Sequence, residues 1–219
     1  MTATPLLRVS ALHKQFGDHA VLCGIDLDVM PRDRIAILGA SGSGKSTLLR
    51  ILAGLERPDA GQVVLGPHAI GTMSRRSFRR LQTFDLALLF QQPSSNLVEY
   101  LTAREQLVLA ARLRGRGDED VDALLDRVGL GPRASHRPVQ LSGGEQQRLA
   151  FASAVVGGPS WVLADEPTAE LDAASAARVL QFVSDLAERS HTTFVLASHD
   201  PAVRDISSSV VTLHHGRIG

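Results

Sequence analysis

A short apolar run, Ile35-Ala-Ile-Leu38, feeds straight into Gly39-Ala-Ser-Gly-Ser-Gly-Lys45-Ser46-Thr47, and Ser46 to Ala53 then reads as a helix that stops at Gly54. A wholly apolar strand is buried on both faces, the habit of a parallel sheet covered by helices. Between such a strand and a helix the pattern G-x-x-x-x-G-K-[ST] wraps an anion. Backbone N–H groups of the turn surround the phosphates, Lys45 reaches the outer ones and the Ser46 hydroxyl binds Mg2+. Gly39, Ala40, Ser41, Gly42, Ser43, Gly44, Lys45, Ser46 and Thr47 are therefore the candidate phosphate-binding residues. The loop alone suits kinases, GTPases and ATPases equally, and the chain has no Asn-Lys-x-Asp string of the kind that selects guanine.

The remaining pattern alternates strand and helix. Leu7, Val9 and Ala11 alternate with polar residues, as do Ile25, Leu27 and Val29, which predicts two antiparallel strands before the turn at Pro31-Arg-Asp33. Gln62 to Leu65, Leu86 to Phe90, Trp161 to Ala164 and Thr193 to Ala197 read as further strands, with a terminal hairpin through Val210 to Leu213 and Arg217-Ile218. Helices are predicted in Thr102 to Val128, where Thr102-x-x-Glu105 is a capping box, in Glu145 to Val156, and in Ala173 to Glu188. These elements make an α/β fold: a mostly parallel sheet covered on both faces, an N-terminal antiparallel β subdomain, and a helical lobe inserted at about 92–140 of a single domain spanning 1–219.

Two more strings carry chemistry. Asp165 and Glu166 follow the apolar strand Trp161 to Ala164, at the strand-end edge where ligands of open α/β sheets gather. Asp165 there can hold Mg2+ opposite Ser46, and Glu166 can polarise an attacking water; the plain alternative is a solvated acidic turn. Ser142-Gly-Gly-Glu145 has the form of an N-cap box, and its two glycines also let helix N–H groups approach an anion closely.

With these residues in place, the chain resembles an ABC-type ATPase of P-loop NTPase (RecA-like) fold. Leu141-Ser-Gly-Gly-Glu145-Gln-Gln-Arg148 matches that family's signature, and Gly39 to Thr47 and Val162 to Thr168 match its Walker motifs. The resemblance implies that Phe16 stacks on adenine, Gln91 senses Mg2+ and the partner, Ala169-Glu-Leu-Asp172 is an aspartate loop, and His199 meets the γ-phosphate. It also implies that Ser142, Gly143 and Gly144 of one copy close over ATP held by another. On the residues alone, Phe16 also reads as core packing, Gln91 as a strand end beside Gln92, Asp172 as a cap for the helix from Ala173, and His199 as structural. Phe16 stands where the family prefers tyrosine. The site inferred is then Glu166, His199, Gln91 and Lys45 for catalysis; Phe16, residues 39–47, Ser142, Gly143, Gly144 and Asp172 for ATP; and Ser46, Gln91 and Asp165 for Mg2+.

The resemblance implies a second ATPase subunit, with a homodimer expected, and a transmembrane permease that the dimer drives. Phe90 to Leu97 and Leu101 to Glu105 resemble the branch of lipoprotein-release, macrolide-export and cell-division subunits. A soluble ABC ATPase of DNA repair or translation is the alternative, but it lacks here the long coiled coil, the zinc cysteines or the second cassette usual there. Composition agrees. Basic and acidic residues number 23 each, so no overall field draws nucleic acid and none is expected as a partner. The one cysteine, Cys23, allows no internal disulfide. The beginning Met1-Thr-Ala-Thr-Pro5 lacks a signal-peptide pattern, and no apolar run is long enough to span a bilayer. A cytoplasmic location, peripheral to the membrane through the permease, is expected. Arg75-Arg76-Ser-Phe-Arg79-Arg80 reads as a solvated helix face, and the histidines His214-His215 offer no convincing metal site.

Overall fold

The computed structural model describes residues 5–66, 68–117, 121–169, 171–189 and 192–219. Met1 to Thr4 and Glu170, which enter the readings above, lie outside the described residues. Strands β1 (Leu7–Phe16), β2 (His19–Val29) and β3 (Arg34–Leu38) precede α1 (Lys45–Leu52). β4 (Ala60–Leu65), β5 (His68–Ala69), α2 (Arg75–Phe84) and β6 (Leu86–Leu89) follow. Next come α3 (Ala103–Leu113), α4 (Val121–Arg127) and α5 (Gly143–Val155). The chain then alternates through β7 (Trp161–Asp165), α6 (Ala173–Arg189), β8 (Thr193–Ser198), α7 (Ala202–Asp205), β9 (Ser209–His214) and β10 (Arg217–Ile218).

Two sheets organise the molecule. The first, in order β2-β1-β4-β5, is antiparallel throughout. The second, in order β10-β9-β3-β8-β7-β6, is parallel except where β10 turns back on β9. Its apolar strands divide their side chains between two cores, as a period of two requires. Trp161, Leu163, Val195, Ala197, Ile35 and Ile37 point to the core shared with α1 and the antiparallel sheet. Val162, Ala164, Phe194, Leu196 and Ala36 point to the other, beneath α3, α4, α5 and α6. Burial on both faces is why these strands read as unbroken apolar runs.

One expectation fails. The alternation Leu7, Val9, Ala11 breaks, because Ala11 takes a positive φ of 45° at a register shift in β1 and is exposed. Leu12 enters the core in its place. The extra residue of a bulge flips every later side chain of a strand to the other face, so a two-residue period cannot be continued through it. The backbone N–H of Ala11 donates to Asp26 Oδ1 at 2.8 Å, which anchors the bulge.

Candidate functional site

α1 starts where the chain must turn hardest. Gly44 has φ 106°, and a Cβ there would lie 2.9 Å from both Val21 O and Leu22 Cδ2. Among the described residues no side chain caps the start of α1, and no acidic residue occupies its first turn. The first N–H groups of a helix have no intrahelical acceptor, so this end is built to receive negative charge.

Lys45 is nearly buried, 5% exposed, and its Nζ donates to Gly39 O at 2.8 Å and Ala40 O at 3.1 Å. It also pairs with Glu166 Oε1 at 3.2 Å. The other carboxylate oxygen of Glu166 accepts from the Ser198 hydroxyl at 3.1 Å and the His199 backbone N–H at 3.2 Å, and lies 2.8 Å from His199 Nδ1. Glu166 sits just past the end of β7 and His199 just past the end of β8, its parallel neighbour, so the sheet register itself brings them together. A cleft of about 380 Å³ is lined by Lys45, Ser46, Thr47, Gln91, Glu166 and His199, together with loop residues Ser41, Gly42 and Gly44.

Asp165 is the half-buried last residue of β7. Its Oδ1 is shielded from solvent and has no hydrogen-bond partner. Burial pushes its carboxyl above the usual carboxylate range, with Ser46 hydrogen bonding acting in the opposite direction. An unpartnered buried carboxylate oxygen beside a serine hydroxyl is a donor set for a hard cation.

Other residues of the inferred site are placed elsewhere. Phe16 ends β1, half exposed, and is not among the residues lining the cleft. Ser142 caps α5 in a complete capping box with Glu145, whose carboxyl is held below the usual range, chiefly by the Ser142 backbone N–H. Gly143 has nothing within 4 Å of where a Cβ would stand, whereas a Cβ on Gly144 would lie 2.8 Å from Ser175 Oγ. A narrow crevice of about 40 Å³ joins Gln91 and Glu166 to Gly143, Gln147 and Leu171. Asp172 accepts from the Ser175 backbone N–H at 2.9 Å, so it caps the start of α6 in this state.

Three participants were missed. Ser198 is fully buried and holds Glu166. Gln147, 2% exposed, donates to Pro167 O at 3.0 Å and so ties α5 to the acidic loop. Asp200 accepts from the Ala202 backbone N–H at 2.9 Å and also receives the Thr168 hydroxyl at 3.1 Å, joining the loops after β7 and β8. No described group of acidic, histidine or cysteine side chains forms a further metal cluster, and no described helix is long and apolar enough to cross a membrane.

A family model described as ABC transporter matches residues 22–169, which contain the glycine loop, the capped α5 start and the Asp165-Glu166 strand end. The chain belongs to the ABC transporter family. It is an ABC ATPase, a nucleotide-binding subunit that hydrolyses ATP. The lipoprotein-releasing system ATP-binding protein LolD of Shewanella oneidensis is 39% identical over 219 residues, covering 96% of this chain and 94% of that protein. The macrolide export ATP-binding/permease protein MacB of Marinobacter nauticus is 37% identical over 226 residues and covers all of this ABC ATPase, which spans 35% of the exporter's length. Among solved structures, the dimeric post-hydrolysis state of the cassette MJ0796 bound to ADP and Pi superposes with a TM-score of 0.87 at 29% identity, covering 97% of this chain and 96% of that one. The cbiO1 subunit of the cbiONQ transporter of Clostridium perfringens also reaches 0.87, at 25% identity over 98% and 87%. The P-loop NTPase fold, with its antiparallel subdomain and mostly parallel sheet, is shared with these cassettes.

Proposed function

We propose that this ABC ATPase hydrolyses MgATP in the cleft between Lys45 and His199, and that two copies clamp head to tail around the nucleotide to drive a membrane permease. The observation that carries the reading is the convergence of Lys45 and His199 on Glu166 at the mouth of the phosphate loop, at 3.2 Å and 2.8 Å. Lys45 and the loop amides are placed to neutralise charge growing on the γ-phosphoryl group. Glu166, held at two oxygens by Lys45 Nζ, the Ser198 hydroxyl and the His199 backbone N–H, is the group to orient or deprotonate the attacking water, and the His199 side chain, its Nδ1 2.8 Å from Glu166, the group to meet the γ-phosphate. Asp165, Ser46 and Gln91 would hold Mg2+, which when bound offsets charge on the phosphate oxygens. The orphaned Asp165 Oδ1 fits that task.

Gly143 supports the head-to-tail arrangement. Glycine in a helix costs up to about 1 kcal/mol relative to alanine, and nothing in its own chain requires it there. A bare backbone at an uncrowded helix start suits contact with a phosphate carried by another copy, as MJ0796 is itself dimeric. The permease contact falls at the groove between β6 and α3, where Phe90, Leu109 and Leu113 stand 40%, 40% and 60% exposed. Apolar side chains gathered at one groove mark a protein contact more readily than solvent exposure. The relatives LolD and MacB favour the lipoprotein-release and macrolide-export branch, at the cytoplasmic face of a membrane, over a soluble role in DNA repair or translation.

Glu166→Gln tests this reading directly. The amide keeps size and most hydrogen bonds but loses the basic oxygen, so MgATP binding persists while turnover falls by about 100-fold or more. Undiminished hydrolysis by the purified variant removes Glu166 from that role.

A further inference from the structure

The exposed ring of Phe16 is not held by the core. It rests against a charge: Lys14 Nζ lies 4.9 Å from the ring centroid. That ammonium is itself fixed by three acceptors, Arg57 O at 2.8 Å, Glu56 Oε1 at 2.9 Å and Asp59 Oδ1 at 3.4 Å, which match its three protons. Lys14 is 8% exposed, while Phe16 keeps half its surface open. We infer that Lys14 is the positioning residue of the base platform, pinning one face of the Phe16 ring so that the other is presented to adenine. The inference rests on the reading of Phe16 as the stacking residue.

The geometry gives this a reason. The face of an aromatic ring carries negative potential, so a cation seated on one side holds the ring in place and draws electron density from the side left free. An electron-rich purine stacks better on a ring so polarised. Phenylalanine has no hydroxyl by which a hydrogen bond could fix it, which leaves the cation as its restraint. A ring already held loses less freedom when the base arrives.

The acceptors are as telling as the cation. Glu56, Arg57 and Asp59 belong to the segment just beyond α1, the helix whose first residue is Lys45 of the phosphate loop. Asp59 binds β1 twice more, its Oδ2 accepting from Gln15 N at 2.7 Å and its own N–H donating to His13 O at 2.9 Å. One end of α1 therefore faces the triphosphate and the other sets the height of the base platform. The Glu56 hydrogen bond holds the Lys14 ammonium above the usual lysine range, so the charge is present at physiological pH.

Calorimetric titration with MgATP and with tripolyphosphate separates base from phosphate recognition in Lys14→Met, Lys14→Arg, Lys14→Gln and Phe16→Ala. Lys14→Met should weaken ATP binding by about three- to tenfold, a cation–π loss, and leave tripolyphosphate affinity unchanged. Steady-state rates should show KM rising far more than kcat falls, and Lys14→Arg should restore both. Equal losses for ATP and tripolyphosphate would make Lys14 a mere strut and overturn the inference; so would an unaltered ATP affinity. Should Lys14→Met fail to fold, Lys14→Gln decides, because it keeps donors for Glu56 and Arg57 without the charge. If Phe16→Ala weakens ATP while Lys14→Met does not, only the role of Lys14 falls. If Phe16→Ala binds ATP normally, the stacking reading itself is wrong.

Discussion

Glu166 has φ 47°, a left-handed torsion that a residue with a Cβ adopts at a cost of order 1–3 kcal/mol. Its N–H donates to Ala197 O at 2.8 Å, and its carboxylate is bound on both oxygens, so the surrounding contacts keep it there. The Lys45–Glu166 pair is 5% and 10% exposed, and removing one member of such a pair strands the other charge away from water. Lys45→Ala should therefore lower the stability of the nucleotide-free protein by about 1–3 kcal/mol, Ser198 and His199 still sharing the Glu166 charge. It should also weaken ATP binding by about tenfold or more, through the lost phosphate contact. Thermal denaturation and nucleotide titration of the same sample check both, and unchanged ATP affinity counts against the phosphate-loop assignment. The loop and the acidic strand end were legible because each is a contiguous string beside its own strand. Lys14 and Ser198 were not. Lys14 is placed by residues more than 40 positions away in sequence, and Ser198 looks like one more residue of a buried strand.

At the level of elements, α3 and α5 begin with the same device. Thr102 with Glu105, and Ser142 with Glu145, form complete capping boxes that satisfy N–H groups a helix start leaves open. Removing the cap hydroxyl by Thr102→Ala or Ser142→Ala should cost about 1 kcal/mol each, and so lower Tm by about 2–4 °C. The two diverge in function, because only α5 opens toward the crevice reached by Glu166. Thr102→Ala should hydrolyse ATP normally, while Ser142→Ala should lose most ATP-dependent association, measured by sedimentation. Acid should erode both boxes. Glu105 and Glu145 are held below the usual range, chiefly by the N–H groups of Thr102 and Ser142, so they bind fewer protons folded than unfolded. Their contribution is complete above the ordinary glutamate value of about 4.3 and disappears as pH falls through the lower folded values. Glu105 is exposed and Glu145 half-buried, so water screens much of the effect and it is modest; the Tm deficit of Glu105→Gln should narrow toward zero below that pH. Such boxes are visible in four consecutive residues, as are buried strands and the helices flanking them. The bulge at Ala11 is not, because its reason is Asp26 on the neighbouring strand.

At the scale of the whole molecule, a single chain keeps the α5 start apart from its own phosphate cleft. The cleft at Lys45 contains Gln91, Glu166 and His199 but is not lined by Ser142, Gly144 or Asp172, and Asp172 spends its carboxylate on capping α6. That separation is what the family resemblance implies for Ser142, Gly143 and Gly144: they lie away from the cleft of their own chain, and a second copy turned head to tail would bring the two surfaces together. No periodicity could have revealed this division, since it is a property of two molecules. Gly143 offers a clean test. Its absent Cβ meets nothing within 4 Å, so Gly143→Asp fits its own chain, and an acidic residue in the first turn complements the helix dipole. Folding and ATP binding should survive. A carboxylate set against the partner's triphosphate should repel it, so the substitution is damaging only if another molecule's nucleotide comes there. In a Glu166→Gln background, where slow turnover traps the bound state, MgATP should convert the 23.4 kDa chain to a species of twice that mass. Adding Gly143→Asp should return it to the monomer while ATP affinity of the monomer holds within about twofold. A dimer that persists with the aspartate in place would mean that the α5 start does not face nucleotide across the interface.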